Sequence, residues 1–174
     1  MPDDTSLMKI IIDTREQQPW WFRREVDRGD CQICQGCLTT GDYSVDEMRE
    51  LVAIERKSIS DLWSCVGGGR DRFRNQFERL AEIRWSCLIV EGSLTEVARY
   101  ESPSGNTRKL QASHVIGTIT SWSLRHSVPV WYGGTIRESE RLGFLWLRAA
   151  WREWISETAP PPETEIAPTT NASL

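Results

Sequence analysis

Three short apolar runs, separated by segments with helical spacing, restrict this chain to an α/β architecture. Residues 7–13 (LMKIIID), 51–57 (LVAIERK) and 87–90 (CLIV) are each too short for a buried helix. The first two end on charged side chains, as buried strands do when they emerge at a sheet edge. Between and after them, apolar residues recur every three or four positions. Phe73, Phe77, Leu80 and Ala81 predict a helix over 70–84, and further helices are expected over 58–65, 93–100, 111–126 and 135–156. Residues 31–38 form a candidate strand leading into the Gly41-Asp42 turn, and 128–132 another. Strands alternating with helices predict a central mixed β-sheet flanked by helices. Residues 14–30 and 101–109 are expected as loops. From Thr158 the composition turns to Pro, Thr, Ala and Glu, so one domain over 1–157 and a disordered tail over 158–174 are expected.

Bulk composition excludes several classes. With 39% hydrophobic and 26% charged residues, the chain has the make-up of a globular protein. No apolar run approaches the ~18 residues of a membrane span, and the acidic start lacks a secretory signal pattern. An intracellular protein is expected, cytoplasmic if encoded by a bacterium or phage. The net charge of −4 does not mark a nucleic-acid binder, but setting aside Glu157, Glu163 and Glu165 leaves 22 acidic against 21 basic residues. Local arrangement must therefore decide. Five cysteines, at 31, 34, 37, 65 and 87, are an odd number and suggest reduced thiols. On a strand, Cys31 and Cys37 would face away from Cys34, which works against a shared metal.

The chemistry concentrates at the second apolar run. Side chains alternate across a strand, so Glu55 and Lys57 share one face while Ile54 and Arg56 take the other. A carboxylate there can bind a hard divalent cation, and the ammonium can hold or deprotonate a water or steady charge on phosphorus. Asp42, on the preceding turn, supplies a second carboxylate. Two carboxylates and few other hard ligands suit Mg²⁺, with Mn²⁺ as a substitute. An isolated E-x-K is more often an ordinary exposed strand pair.

The surroundings of these residues carry a resemblance. Gly41-Asp42-Tyr43, followed by Ile54-Glu55-Arg56-Lys57 and an Asp four residues after the Lys, resembles the signature of the XPF-type nuclease domain (the ERCC4 domain family). Asp13-Thr14-Arg15-Glu16 resembles the family's D-x-R-E, and Gly69-Arg70 with Phe73 and Gln76 its glycine–arginine helix start. Leu88-Ile89-Val90-Glu91 stands where the family has its next core strand, so the resemblance spans roughly residues 8–150. It implies a restriction-endonuclease-like fold and metal-dependent cleavage of branched, flapped or junction DNA in repair or recombination. It also implies that Asp42 and Glu55 bind the metal, with the Arg56 backbone carbonyl as a third ligand, and that Lys57 positions the water. Asp13, Arg15, Glu16, Arg56 and Asp61 shape the site or hold phosphate; Asp61 is equally well explained as a helix-start carboxylate. Arg15, Arg70, Arg74 and Gln76 are expected to contact DNA, and neither a membrane nor a small-molecule cofactor is expected.

Two other readings stand beside this one: a non-catalytic DNA-binding or scaffold subunit, and a restriction-type endonuclease. Trp20-Trp21-Phe22 either stacks on bases or packs in the core. His114 and His126 read as surface or boundary residues. The helix over 135–156 has two apolar faces, Leu142, Leu145, Trp146 and Ala149 on one, Phe144, Leu147, Trp151 and Trp154 on the other. That surplus, with the family's habit of working as dimers, predicts a homodimer joined partly through this helix.

Overall fold

The structure, a computed structural model, describes residues 7–101 and 110–158. The tail expected from 158 lies outside these except for its first residue, as does the loop expected over 101–109. Strand β1 (Lys9–Asp13) runs parallel to β2 (Gln32–Gly36) and antiparallel to β3 (Tyr43–Val45). Strand β4 (Val52–Ser58) is antiparallel to β3 and parallel to β5 (Trp85–Glu91), and β6 (Val130–Tyr132) lies parallel to β5. The result is one mixed sheet in the order β2-β1-β3-β4-β5-β6. Strands β1, β4 and β5 all finish at the same end, called the upper end below, and β3 begins there.

Helices cover both faces, which explains why Val52, Ala53 and Ile54 are apolar without alternation. Ile54 and Ile89 face α6 (Ile136–Thr158), packing with Tyr43, Phe144, Leu147 and Trp151. Ala53, Leu88 and Val90 face the opposite way, toward α2 (Ile59–Gly67), α3 (Arg70–Ala81) and α5 (Ala112–His126), where Phe73, Phe77 and Trp122 pack edge to face. Glu55 and Lys57 fall on this second side and Arg56 on the first, as the alternation requires. Two short helices complete the fold, α1 (Arg23–Asp27) and α4 (Leu94–Arg99). Ser93 starts α4 with a reciprocal capping box to Glu96.

The structure departs from the sequence expectations in local ways. The segment 14–30 is not wholly irregular, because α1 lies within it. The three-residue β3, too short to show a period of two, lies between β2 and β4. Trp20 and Phe22 belong to the core, with Trp20 stacked on Tyr43 at a ring separation of 4.8 Å, whereas Trp21 is exposed. In α6 the two apolar faces are used within one chain. Phe144, Leu147 and Trp151 are buried against the sheet, and Trp146 reaches back to donate its indole N–H to the Trp85 carbonyl at 3.1 Å. Trp154 packs at the edge of the same core. The aromatic side chains that suggested a second copy are thus at least partly covered by the chain itself, while Ile136, Leu145 and Ala149 of this helix stay exposed. Among the described residues no helix is long and apolar enough to cross a membrane.

Candidate active site

The site is assembled where three strand ends meet. Asp42 is tied on both sides by main-chain bonds: its N–H donates to the Ile54 carbonyl at 2.7 Å, and its carbonyl accepts from Asp13 N–H at 2.8 Å. The preceding Gly41 has φ +82°, and a Cβ there would lie 3.0 Å from the Ile54 carbonyl oxygen. A side chain would therefore be both strained and crowded, so glycine permits the close approach that brings Asp42 over β4. The Asp42 carboxylate accepts the Arg56 N–H at 2.8 Å, which sets it against the backbone between Glu55 and Lys57.

Glu55 and Lys57 form an ion pair of 2.9 Å, and both are largely buried. The Lys57 ammonium lies 5.4 Å from the centre of the Phe73 ring, so the ring helps to support the cation. Burial opposes the Lys57 charge, but the Glu55 carboxylate outweighs it and holds the pKa above its ordinary value. Lys57 is therefore a proton donor in this state. Asp42 behaves in the opposite way. Burial, then repulsion from Glu55, raise its pKa well above the usual carboxylate range, only partly offset by the Arg56 N–H. Two carboxylates thus stand close together, and the Lys57 ammonium pairs with only one of them, Glu55.

These residues open into a cleft of about 330 Å³ whose far wall is α3. Arg72, Gln76 and Arg79 line it. At 100° per residue they fall within about 60° of one another. Arg70 and Arg74 fall roughly 160° away from Arg72 on the same helix, and the structure turns them elsewhere. Arg70 donates to Thr118 Oγ1 at 3.1 Å and lies over Trp122, while Arg74 faces Asp71 and Glu78. Gln76 is thus the expected α3 residue that reaches the cleft. Arg72, one of the arginines that follow the Gly67–Gly69 run, was not among the expected DNA contacts, and neither was Arg79. Their signal was present in the apolar stripe: each precedes a buried residue, Phe73 or Leu80, by one position.

The remaining expected residues divide by role. Asp13 and Arg15 both line the cleft, but Asp13 is saturated: it accepts from Arg15 Nε and Nη2, the Arg15 N–H and the Leu38 N–H. The Arg15 bond, opposed by burial, holds its pKa down to about 2. This carboxylate therefore stabilises the fold fully above the unfolded value near 3.8, and that contribution is lost as pH falls through about 2. Asp13→Asn is expected to cost about 1–2 kcal/mol at pH 7, discounted because Arg15 is exposed. Thermal melts at pH 7 and pH 2.5 test this; an equal loss at both would show that the charge is not involved. Asp61 is the partner of the α2 cap, donating its N–H to Ser58 Oγ and accepting that hydroxyl at 2.7 Å. It does not line the cleft.

Arg56 lies behind the site, on the α6 side of β4. Its guanidinium forks onto Glu91 at 2.7 and 2.6 Å and reaches Glu16 at 3.2 Å, and Glu91 also accepts the Trp20 indole N–H at 2.7 Å. Glu91 thus ties β4, β5 and the 14–22 segment together. Its sequence signal was only a carboxylate ending the β5 run. Among the described residues no three His, Cys, Asp or Glu side chains converge as a metal cage. All five cysteines are free, with Cys31 buried and Cys37 exposed.

A mixed sheet covered by helices on both faces, with paired carboxylates and a lysine where strands end, defines a restriction-endonuclease-like domain. The ERCC4 domain model matches residues 12–142. The chain belongs to the ERCC4 domain family, a family of DNA nucleases. The fold is similar to that of XPF from Aeropyrum pernix, with a TM-score of 0.62 and 19% identity, covering 86% of this chain and 67% of that one. It is also similar to XPF from Aeropyrum pernix in complex with DNA, with a TM-score of 0.61 and 18% identity over 88% and 74% of the two chains. A search of curated proteins finds no match.

Proposed function

We propose that this chain is a Mg²⁺-dependent endonuclease that hydrolyses phosphodiester bonds in branched or flapped DNA. The observation that carries this reading is the pair of neighbouring carboxylates, half-buried Asp42 and buried Glu55, in a cleft also lined by Lys57, Arg72 and Arg79. The donor set fits a hydrated Mg²⁺, which needs only one or two carboxylates and keeps its other waters. Asp42 and Glu55 would hold the ion, with the Arg56 carbonyl as a third oxygen; Mn²⁺ suits the same oxygens. A bound ion supplies charge neutralisation at the phosphate and acidifies water. Arg72 and Arg79 draw the DNA backbone into the cleft. Lys57, protonated and braced by Phe73, donates toward the phosphate or the attacking water and stabilises charge as it develops. Likeness to a fold captured with DNA supports the substrate class.

The test is a panel of labelled blunt duplex, flap, fork and four-way junction DNAs, incubated with Mg²⁺, Mn²⁺ or EDTA. Cutting of branched members is expected with either ion and not in EDTA. Lys57→Ala should bind the same DNAs with little change but cut about a thousandfold more slowly, since its contribution lies in the chemical step. Cutting in EDTA would sink the metal assignment. Tight binding with no cutting under any condition would favour the scaffold reading.

A further inference from the structure

A second basic hollow, of about 590 Å³, opens at the upper end of the sheet on the α6 side, away from Glu55. Its walls come from the segment after β1 and from the first turns of α6. Arg23, Arg24, Arg137 and Arg141 line it with two carboxylates, both engaged: Glu25 pairs with Arg141 at 2.8 Å, and Glu140 accepts the Phe22 N–H at 2.6 Å. Arg23, Arg24 and Arg137 are exposed and form no salt bridge among the described residues. Beside them stands Trp21, 42% exposed.

The backbone on both sides of Trp21 is anchored. Phe22, next to it, takes a left-handed backbone (φ 49°) that costs a non-glycine residue about 1–3 kcal/mol. Full burial of the Phe22 ring and its bond to Glu140 maintain that conformation. On the other side Trp20 is locked by Tyr43 and Glu91. An indole standing in water between two anchored neighbours, in a hollow also lined by unpaired guanidiniums, offers a π-face with anion donors nearby. That combination matches an unpaired nucleotide, whose base is free to stack and whose phosphates need cations. A duplex hides its base faces and does not match it.

The hollow is also within reach of the cleft. Glu16 lines the cleft and Trp21 the hollow. Five residues span at most about 18 Å, the rise of roughly five phosphates along one strand. We propose that this hollow holds a single-stranded arm of the DNA cut in the cleft, with a base on Trp21 and phosphates on Arg23, Arg24 and Arg137. This rests on the nuclease reading above and specifies which part of a branched substrate the chain recognises.

The test is fluorescence anisotropy with the full chain in EDTA, comparing a duplex bearing a single-stranded arm with the same duplex left blunt. Trp21→Ala is expected to weaken binding of the armed DNA about tenfold and of the blunt DNA less than twofold, while Trp21→Phe keeps most of the affinity. Replacing Arg23, Arg24 and Arg137 together by Ala should flatten the log–log salt dependence for armed DNA by about two, at ~0.7 per contact. Equal effects on armed and blunt DNA, or none on either, overturn the inference. If the wild type cuts branched DNA and Trp21→Ala leaves arm preference intact, this inference alone fails. A wild type that neither binds nor cuts any of these DNAs overturns the nuclease reading and this inference with it.

Discussion

Asp42→Asn is expected to abolish cleavage and, at the same time, to make the metal-free protein melt a few degrees higher. On the proposed assignment of Asp42 to the ion, its loss would remove several kcal/mol of transition-state stabilisation, or at least about a thousandfold in rate. The gain in stability follows from the geometry. Burial and the neighbouring Glu55 raise the Asp42 pKa above its unfolded value of 3.8, so the folded protein holds this proton more tightly than the unfolded chain does. The contribution of Asp42 to stability then falls as pH rises above 3.8. An amide keeps the acceptor for Arg56 N–H and removes the charge, so the advantage of the variant should be larger at pH 8 than at pH 5. Mg²⁺ should raise the melting temperature of the wild type, by the linkage of any ligand that binds only the folded state, and leave the variant unmoved. A variant less stable than wild type at pH 8 would show that Asp42 is not held against burial and the Glu55 charge, and one that still cuts would overturn its proposed role at the ion.

The second large effect concerns the opposite side of the same strand. Arg56→Ala removes the cation shared by Glu91 and Glu16 and leaves two largely buried carboxylates with no counter-charge. Breaking a buried pair from one side costs about 3–5 kcal/mol, which in a chain of this size lowers the melting temperature by roughly 10 °C. Adding Glu91→Gln to Arg56→Ala should restore more than half of that loss, because the orphaned charge accounts for most of it. A drop under about 2 °C for the single variant, or no recovery in the double, would mean that the ion pairs contribute little and that packing alone holds β4 to β5.

Much of this arrangement was legible in advance because it follows from short-range geometry. The period of two placed Glu55 and Lys57 together and sent Arg56 away, and Ser58 and Asp61 stand at the spacing of a helix cap. Long-range choices were not legible. Arginines occur at 70, 72, 74 and 79, so basic side chains lie on several sides of α3. Only the direction of the apolar stripe against β4 and β5 decides that 72 and 79 meet the cleft while 70 meets Trp122. The two apolar faces of α6 posed the same problem, since a helical wheel does not say whether a second face meets solvent, a partner or the chain's own Trp85 and Trp131. The Arg56–Glu91 fork joins residues 35 positions apart and leaves no local pattern.

The division of β4 between its two faces bears on how such domains diverge. Asp42, Glu55 and Lys57 are the set proposed for cutting, and of these Asp42 is held at an energetic cost, whereas Arg56 and Glu91 hold the strands whether or not the domain cuts. A lineage released from selection for cleavage can discard Asp42 from the first set by a single substitution and become hardier, while the buried Glu55–Lys57 pair is lost at least cost when both go together. It cannot discard the second set one residue at a time without passing through an unstable intermediate. Inactive descendants of such a nuclease should therefore be recognisable by an intact arginine–glutamate fork behind an empty catalytic face, a fossil of the enzyme written on the side of the sheet that never touched the phosphate.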